Sequence, residues 1–161
     1  MNNIDAFEKR LQALEGIVPL TVKFLRTRDT ATQPRKGTAG AAGWDLYAAE
    51  DAYLTGTGQT VLVPTGIALE LPRGYEAQIR PRSSMNKRGI LSHFGTIDDD
   101  YRGEIMVCLT GLDRMNYITH IRAGERIAQL VLAPAPNARF IEVEELSETM
   151  RGTGGFGSTG R

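Results

Sequence analysis

Apolar residues return along this chain with two different periods. Over residues 4–15, Ile4, Phe7, Leu11 and Leu14 share one helical face, with Glu8, Lys9, Arg10 and Gln12 opposite and Gly16 as a stop. From residue 18 onward the runs are short and strand-like. Residues 18–25, 60–63, 67–71, 75–80, 104–110, 126–132 and 140–143 read as strands, and turn signals at 64–66, 72–74 and 122–124 punctuate them. Many short strands separated by Gly and Pro predict an all-β antiparallel sandwich or jelly roll, not a nucleotide-binding α/β sheet. The expected organisation is an N-terminal helical extension (1–17), a β domain (18–150) and a terminal segment of a different kind (151–161). Residues 30–43, rich in Thr, Ala and Gly, read as an exposed loop.

The terminal segment, RGTGGFGSTGR, combines five glycines, two arginines, three hydroxyl side chains and one aromatic. That is a poor structural element and a good anion-binding flap. Glycine lets backbone N–H groups converge, hydroxyls add donors, and arginine adds bidentate charge. Gly152, Gly154 and Gly157 match a dinucleotide fingerprint, and residues 152–159 match a Walker A loop with Ser158 in place of its lysine. Both motifs need a strand before and a helix after, and no helical pattern follows here. A flexible lid over a site built elsewhere is the expected reading.

Charge narrows the picture by subtraction. Nineteen basic and nineteen acidic side chains cancel, so no global field draws the chain to nucleic acid or to an anionic membrane. Anion binding has to come from local arrangement. The single cysteine, Cys108, lies in an apolar run and reads as a core residue; one cysteine allows no intrachain disulfide. No apolar run approaches the roughly 18 residues of a membrane span. We expect a soluble, cytoplasmic protein of one domain.

Four further segments are more polar than strand packing requires. In residues 42–48 alternation sets Trp44, Leu46 and Ala48 on one side, and Asp45 and Tyr47 on the other. Such a carboxylate is most often a surface group. Arg82, Ser83 and Ser84 follow a strand and could open a helical turn whose N–H groups hold a phosphate; an ordinary serine cap is the competing reading. In residues 95–104 three aspartates suggest a solvated turn. Gly95 and Gly103, however, bracket what reads as a tight hairpin, and Ile97 and Tyr101 could wall a carboxylate acting as a base. Gln129 interrupts an apolar strand and must find hydrogen-bond partners there.

Taken in order, AGWDLYA at 42–48, RPRSSM at 80–85, GTIDDDYRGE at 95–104, GERIAQLVL at 124–132 and RGTGGFGSTGR at 151–161 carry a resemblance. Across about residues 18–161 the chain resembles the trimeric dUTPase family, the dUTP pyrophosphatases. The resemblance implies a distorted jelly-roll (β-clip) subunit and a homotrimer whose sites are shared between subunits. The first, second and fourth motifs would come from one subunit, the third from a neighbour and the flap from the remaining one. It implies hydrolysis of dUTP to dUMP and pyrophosphate with Mg²⁺, in nucleotide metabolism. Asp98 would be the catalytic base, and Tyr101 would exclude a ribose hydroxyl. Arg82, Ser83, Ser84 and Gln129 would contact phosphates, and Asp45 would meet Mg²⁺ through water. Gly95, Thr96 and Ile97 would read the base from the backbone, with Met106 near the sugar. In the flap, Arg151, Ser158 and Thr159 would grip the outer phosphates, Phe156 would cover uracil, and Gly157 would belong to the same substrate-binding stretch.

The segment between Gly89 and Asp98 is shorter than in many members, with Ser92 and His93 near a position where asparagine is common. Trp44 stands where a smaller aromatic is usual. The nearest alternative is a dCTP deaminase-like homologue, which should lack both the Asp98 base and the flap. A nucleotide-gated regulator that binds a partner protein through the 4–15 helix is an alternative of another class.

Overall fold

The alternation in residues 44–48 becomes a strand at one edge of the larger sheet. The computed structural model describes residues 20–55, 58–112 and 118–155; the predicted helix of residues 4–15 lies outside them. Strands β2 (Trp44–Tyr47), β11 (Arg126–Pro134), β6 (Tyr75–Arg80) and β8 (Gly95–Ile97) form a four-stranded antiparallel sheet in that spatial order. Strands β4 (Thr60–Pro64), β9 (Met106–Gly111) and β7 (Ile90–Ser92) form a three-stranded one. Two pairs complete the subunit: β1 (Lys23–Arg26) with β5 (Ile67–Glu70), and β3 (Ala52–Leu54) with β10 (Thr119–Ile121). The one described helix is α1 (Ser83–Lys87). Sequence-distant strands pair in every sheet, so this is an all-β clip of jelly-roll type and not a meander.

The inner faces meet in one apolar cluster. Leu46, Leu54, Val63, Ile67, Met85, Ile90, Ile105, Leu109, Ile121 and Ile127 are fully buried in it. Truncating any of the large aliphatic members to alanine would cost about 2–5 kcal/mol. Thr65 lies inside the core because its hydroxyl donates to the Ile105 carbonyl at 2.7 Å, which removes the penalty for burying it. Gly66 beside it has φ +69°, and a Cβ there would collide with Ala31. Its N–H donates to Glu104 Oε1 at 2.7 Å, and Arg28 pairs with the same oxygen at 2.8 Å.

Several expectations change. Residues 140–143 form no strand: residues 135–155 hold neither strand nor helix, and Phe140 is 97% exposed. Their apolar side chains face outward, uncovered by any of the described residues. Cys108 is half-buried, since the pleat turns Val107 and Leu109 into the core and Cys108 to the other face. The predicted hairpin at 95–103 is a turn closed by Tyr101 N–H to the Asp98 carbonyl (3.2 Å). Its flanking strands belong to different sheets, β8 pairing with β6 while β9 pairs with β4 and β7. Among the described residues no helix is long and apolar enough to cross a membrane.

Candidate active site

One end of the four-stranded sheet carries an open pocket of about 310 Å³, lined by Gly37, Thr38, Ala41, Gly43, Asp45, Arg82, Ser83, Arg126 and Gln129. Three segments of the chain far apart in sequence converge there. Asp45 on β2 stands opposite Gln129 on β11, and Gln129 stands opposite Arg80 on β6. Directly opposed residues project to the same face, so Asp45 and Gln129 enter the pocket together. Gln129 Nε2 donates to the Pro81 carbonyl at 2.9 Å, which satisfies the polar interruption of the strand. Gly43 packs closely beside it: a Cβ there would come to 3.1 Å from Gln129 Oε1 and 3.2 Å from the Leu130 carbonyl, so a larger residue would press on both.

Among the described residues Asp45 is the one carboxylate on the pocket wall, and two arginines hold it. Arg82 Nε lies 2.9 Å from Oδ1, and Arg126 Nη1 lies 3.2 Å from Oδ2. Arg82 also donates from Nη1 to the Arg126 carbonyl at 3.1 Å. Arg82 caps α1 with its backbone in the extended region and makes no side-chain cap, so the serine-cap reading does not hold. The first amides of α1 and the exposed hydroxyl of Ser83 therefore stay available at the rim. Ser84 is exposed one position further along. Arg80 is not on the wall; its guanidinium folds back on Gln78 Oε1.

Arg126 is the residue that pattern reading missed. Strict alternation would set residues 126 and 129 on opposite faces. Between Arg126 and Ala128 the register against β2 shifts, so that Arg126 faces Tyr47 and Gln129 faces Asp45. One extra residue on β11 thus turns Arg126 to the pocket side, as β-bulges beside functional sites do. Nothing local in the sequence announces it.

No residue of the 95–104 motif lines this pocket. The register explains why. β8 runs antiparallel to β6, from Gly95 opposite Ile79 to Ile97 opposite Ala77. Asp98 therefore emerges at the end of β6 remote from Arg82, on the order of 15–20 Å along the extended chain. Asp98 is exposed and makes no side-chain hydrogen bond or ion pair among the described residues. The expected apolar walls are not formed by the described residues. Ile97 points into the core, and Tyr101, 44% exposed, folds against Gly103 with its hydroxyl donating to the Glu104 carbonyl at 3.1 Å. A Cβ at Gly103 would strike that ring.

Asp99, by contrast, is structural. Its Oδ2 accepts from Gly74 N–H at 3.0 Å, tying this turn to the β5–β6 turn, where Gly74 has φ +79°. Thr96 pairs with Gln78, Met106 pairs with Pro64, and His93 Nε2 lies 2.8 Å from Thr110 Oγ1. Arg151 is exposed and donates to the Gly154 carbonyl at 2.9 Å; Phe156, Gly157, Ser158 and Thr159 lie outside the described residues.

The donor set also limits what metal could bind. Among the described residues no three His, Cys, Asp or Glu side chains gather as a metal cage. A single carboxylate already shared by two arginines fits a cation held mainly by a ligand's own oxygens and by water, and does not fit a protein-bound resident ion.

An all-β subunit with a pocket of arginines, hydroxyls and helix-start amides at one sheet end defines a class: an anion-binding β-clip suited to a phosphorylated ligand. A family model described as dUTPase matches residues 29–160. A deoxyuridine 5'-triphosphate nucleotidohydrolase of Hydrogenobaculum sp. (strain Y04AAS1) is 51% identical over 144 residues, 88% of this chain and 97% of that protein. One from Desulfotalea psychrophila is 50% identical over 147 residues, 86% of this chain and 97% of its own. Among solved structures, the dUTPase of Staphylococcus bacteriophage 80alpha with dUPNHPP aligns with a TM-score of 0.81 at 27% identity, over 88% of this chain and 99% of that one. The chain belongs to the dUTPase family.

Proposed function

We infer that this protein hydrolyses dUTP to dUMP, and we propose that it does so at a site shared between subunits of a homotrimer. One observation carries the second part. The phosphate-type pocket draws on residues 37–45, 82–83 and 126–129, while Asp98 leaves its strand at the other end of β6. A pocket and a base that the same chain holds apart can meet when a neighbouring subunit brings its own Asp98 turn to the pocket. The apolar side chains of residues 140–150, exposed among the described residues, support the same reading as a surface that a neighbouring subunit would cover.

In this reading Arg82, Ser83, Ser84 and Gln129 position the triphosphate. Asp98 of a neighbouring subunit accepts a proton from water as it attacks the α-phosphorus, and pyrophosphate leaves. Little covalent work falls to the protein, so positioning and charge stabilisation dominate. Tyr101 packs on the deoxyribose and leaves a ribose hydroxyl neither space nor a partner, which rejects UTP on both counts. Gly95, Thr96 and Ile97 offer backbone groups to uracil, with Met106 near the sugar. Mg²⁺ would be held mainly by the triphosphate's own oxygens and would offset their charge, with Asp45 as the residue that would face it through water. The 151–161 segment closes over the ligand: Arg151, Ser158 and Thr159 on phosphates, Phe156 on the base, with Gly157 beside them against the substrate. No anchor for the chain in a membrane is part of this reading, and the cytoplasm is its natural setting.

A panel of dUTP, dCTP, dTTP and UTP, followed for pyrophosphate and ammonia, tests the chemistry. Pyrophosphate from dUTP alone is expected. Ammonia from dCTP would instead make the chain a deaminase. Sedimentation of a fully active monomer would remove the shared site.

A further inference from the structure

We propose that Arg126 is a direct phosphate contact, which exchanges its carboxylate partner, Asp45, for an oxygen of the triphosphate when substrate enters. The proposal rests on the dUTPase reading and gives a role to Arg126, which lies within the fourth motif (124–132) but is assigned no substrate contact there.

The two arginines on Asp45 are held unequally. Arg82 is 18% exposed, sits 2.9 Å from Oδ1 and is tied a second time to the Arg126 carbonyl. Arg126 is 52% exposed, sits 3.2 Å from Oδ2 and makes no other side-chain bond among the described residues. Arg82 is thus fixed, whereas Arg126 is retained by one long, solvent-screened pair. Such pairs contribute little and exchange readily. A phosphate oxygen is the better partner, since it offers more charge and a geometry that the guanidinium fork matches.

The bulge in β11 gives the arrangement its purpose. A regular strand would turn this guanidinium to the opposite face, away from Gln129. The extra residue instead delivers it to the pocket wall. The wall then carries two cations against one anion, a balance that favours a polyanion. Asp45 holds the two guanidinium groups, which repel each other, side by side. Once Arg126 swings to phosphate, Oδ2 of Asp45 becomes a free acceptor inside the pocket.

Calorimetric titration with a non-hydrolysable imido analogue of dUTP, with Mg²⁺ present throughout, tests this on the full-length chain. Four variants serve: Arg126→Gln, Arg126→Lys, Asp45→Asn and the Asp45→Asn/Arg126→Gln double variant, each first compared in thermal melting and sedimentation. Arg126→Gln should weaken binding about 10- to 100-fold, the range for one charge-assisted hydrogen bond. Arg126→Lys should lose less, because charge remains without the fork. The loss should persist when Asp45 is already Asn. Unchanged affinity in Arg126→Gln would overturn the proposal. So would a loss that vanishes in the Asp45→Asn background, since Arg126 would then act only by holding Asp45. Should Arg126→Gln fail to fold, Arg126→Lys decides: wild-type affinity there counts against the proposal, and a partial loss supports it. Wild-type protein that neither binds the analogue nor hydrolyses dUTP would bring down the dUTPase reading itself, and this proposal with it.

Discussion

The Asp45 pocket and the Asp98 turn bear carboxylates in equally polar motifs, yet the fold treats them in opposite ways. Asp45 is 13% exposed and clamped by Arg82 and Arg126. Asp98 is exposed and unengaged by the described residues of its own chain. A group that binds a polyanion gains from preorganised cations. A group that must take a proton from water would be spoiled by the same neighbours, because a carboxylate saturated by guanidinium bonds is a poor base. In the proposed reading the difference separates binding from chemistry inside one fold, and the Asp98 base finds its surroundings only when another subunit supplies them.

The largest expected effect breaks the comparison on its chemical side. Asp98→Asn should lower kcat by about 10²–10⁴-fold, as loss of a general base does, with analogue affinity little changed. Equal losses from Asp99→Asn and Asp100→Asn would instead make the acidic run a cluster acting as a unit. Mixing Asp98→Asn with Arg82→Ala subunits, each inactive alone, should restore about a quarter of wild-type activity, because random trimers then contain intact shared sites. No recovery after refolding the mixture would confine each site to one chain.

Removing residues 151–161 should abolish most turnover and leave assembly intact on sedimentation, since the segment supplies ligand contacts in this reading and no core side chains. Unfolding of the shortened chain would contradict that. Within the turn itself, Asp99→Ala should cost about 1 kcal/mol in urea unfolding through loss of the Gly74 bond, against less than about 0.5 kcal/mol for Asp100→Ala.

The smallest effect lies away from the site. Asp51 accepts from Ala123 N–H at 2.8 Å and pairs with His120 at 2.8 Å. The backbone bond first, and the histidine second, hold its carboxyl below its ordinary range. A lowered native value means that this contribution is complete above the ordinary carboxylate range and fades as pH falls through the native value. The stability difference between wild type and Asp51→Asn should therefore shrink on acidification below about pH 4. A difference that grows with acid would reverse the sign of the linkage.

Much of this was legible in the linear pattern. Alternation in residues 44–48 assigned Asp45 and Tyr47 to one face, and Leu46 and Ala48 are indeed buried on the other. Residues 75–80 form the strand their pattern predicts. The Gln129 interruption foretold a satisfied polar group, found on the Pro81 carbonyl. Short strands such as Ala52–Leu54 and Thr119–Ile121 escaped because three residues hold too little periodicity to stand out from a loop.

Local composition determined the all-β class, the family motifs and the residue types available for phosphate chemistry, because period and turn chemistry are properties of neighbours in the chain. Tertiary structure alone decided which of those residues meet. Register between strands far apart in sequence sent Asp98 to the end of β6 away from Arg82. A single bulge against β2 rotated Arg126 onto the wall beside Gln129. Both outcomes depend on pairing between segments dozens of residues apart, and a one-residue shift in such pairing reverses the face on which every following side chain appears.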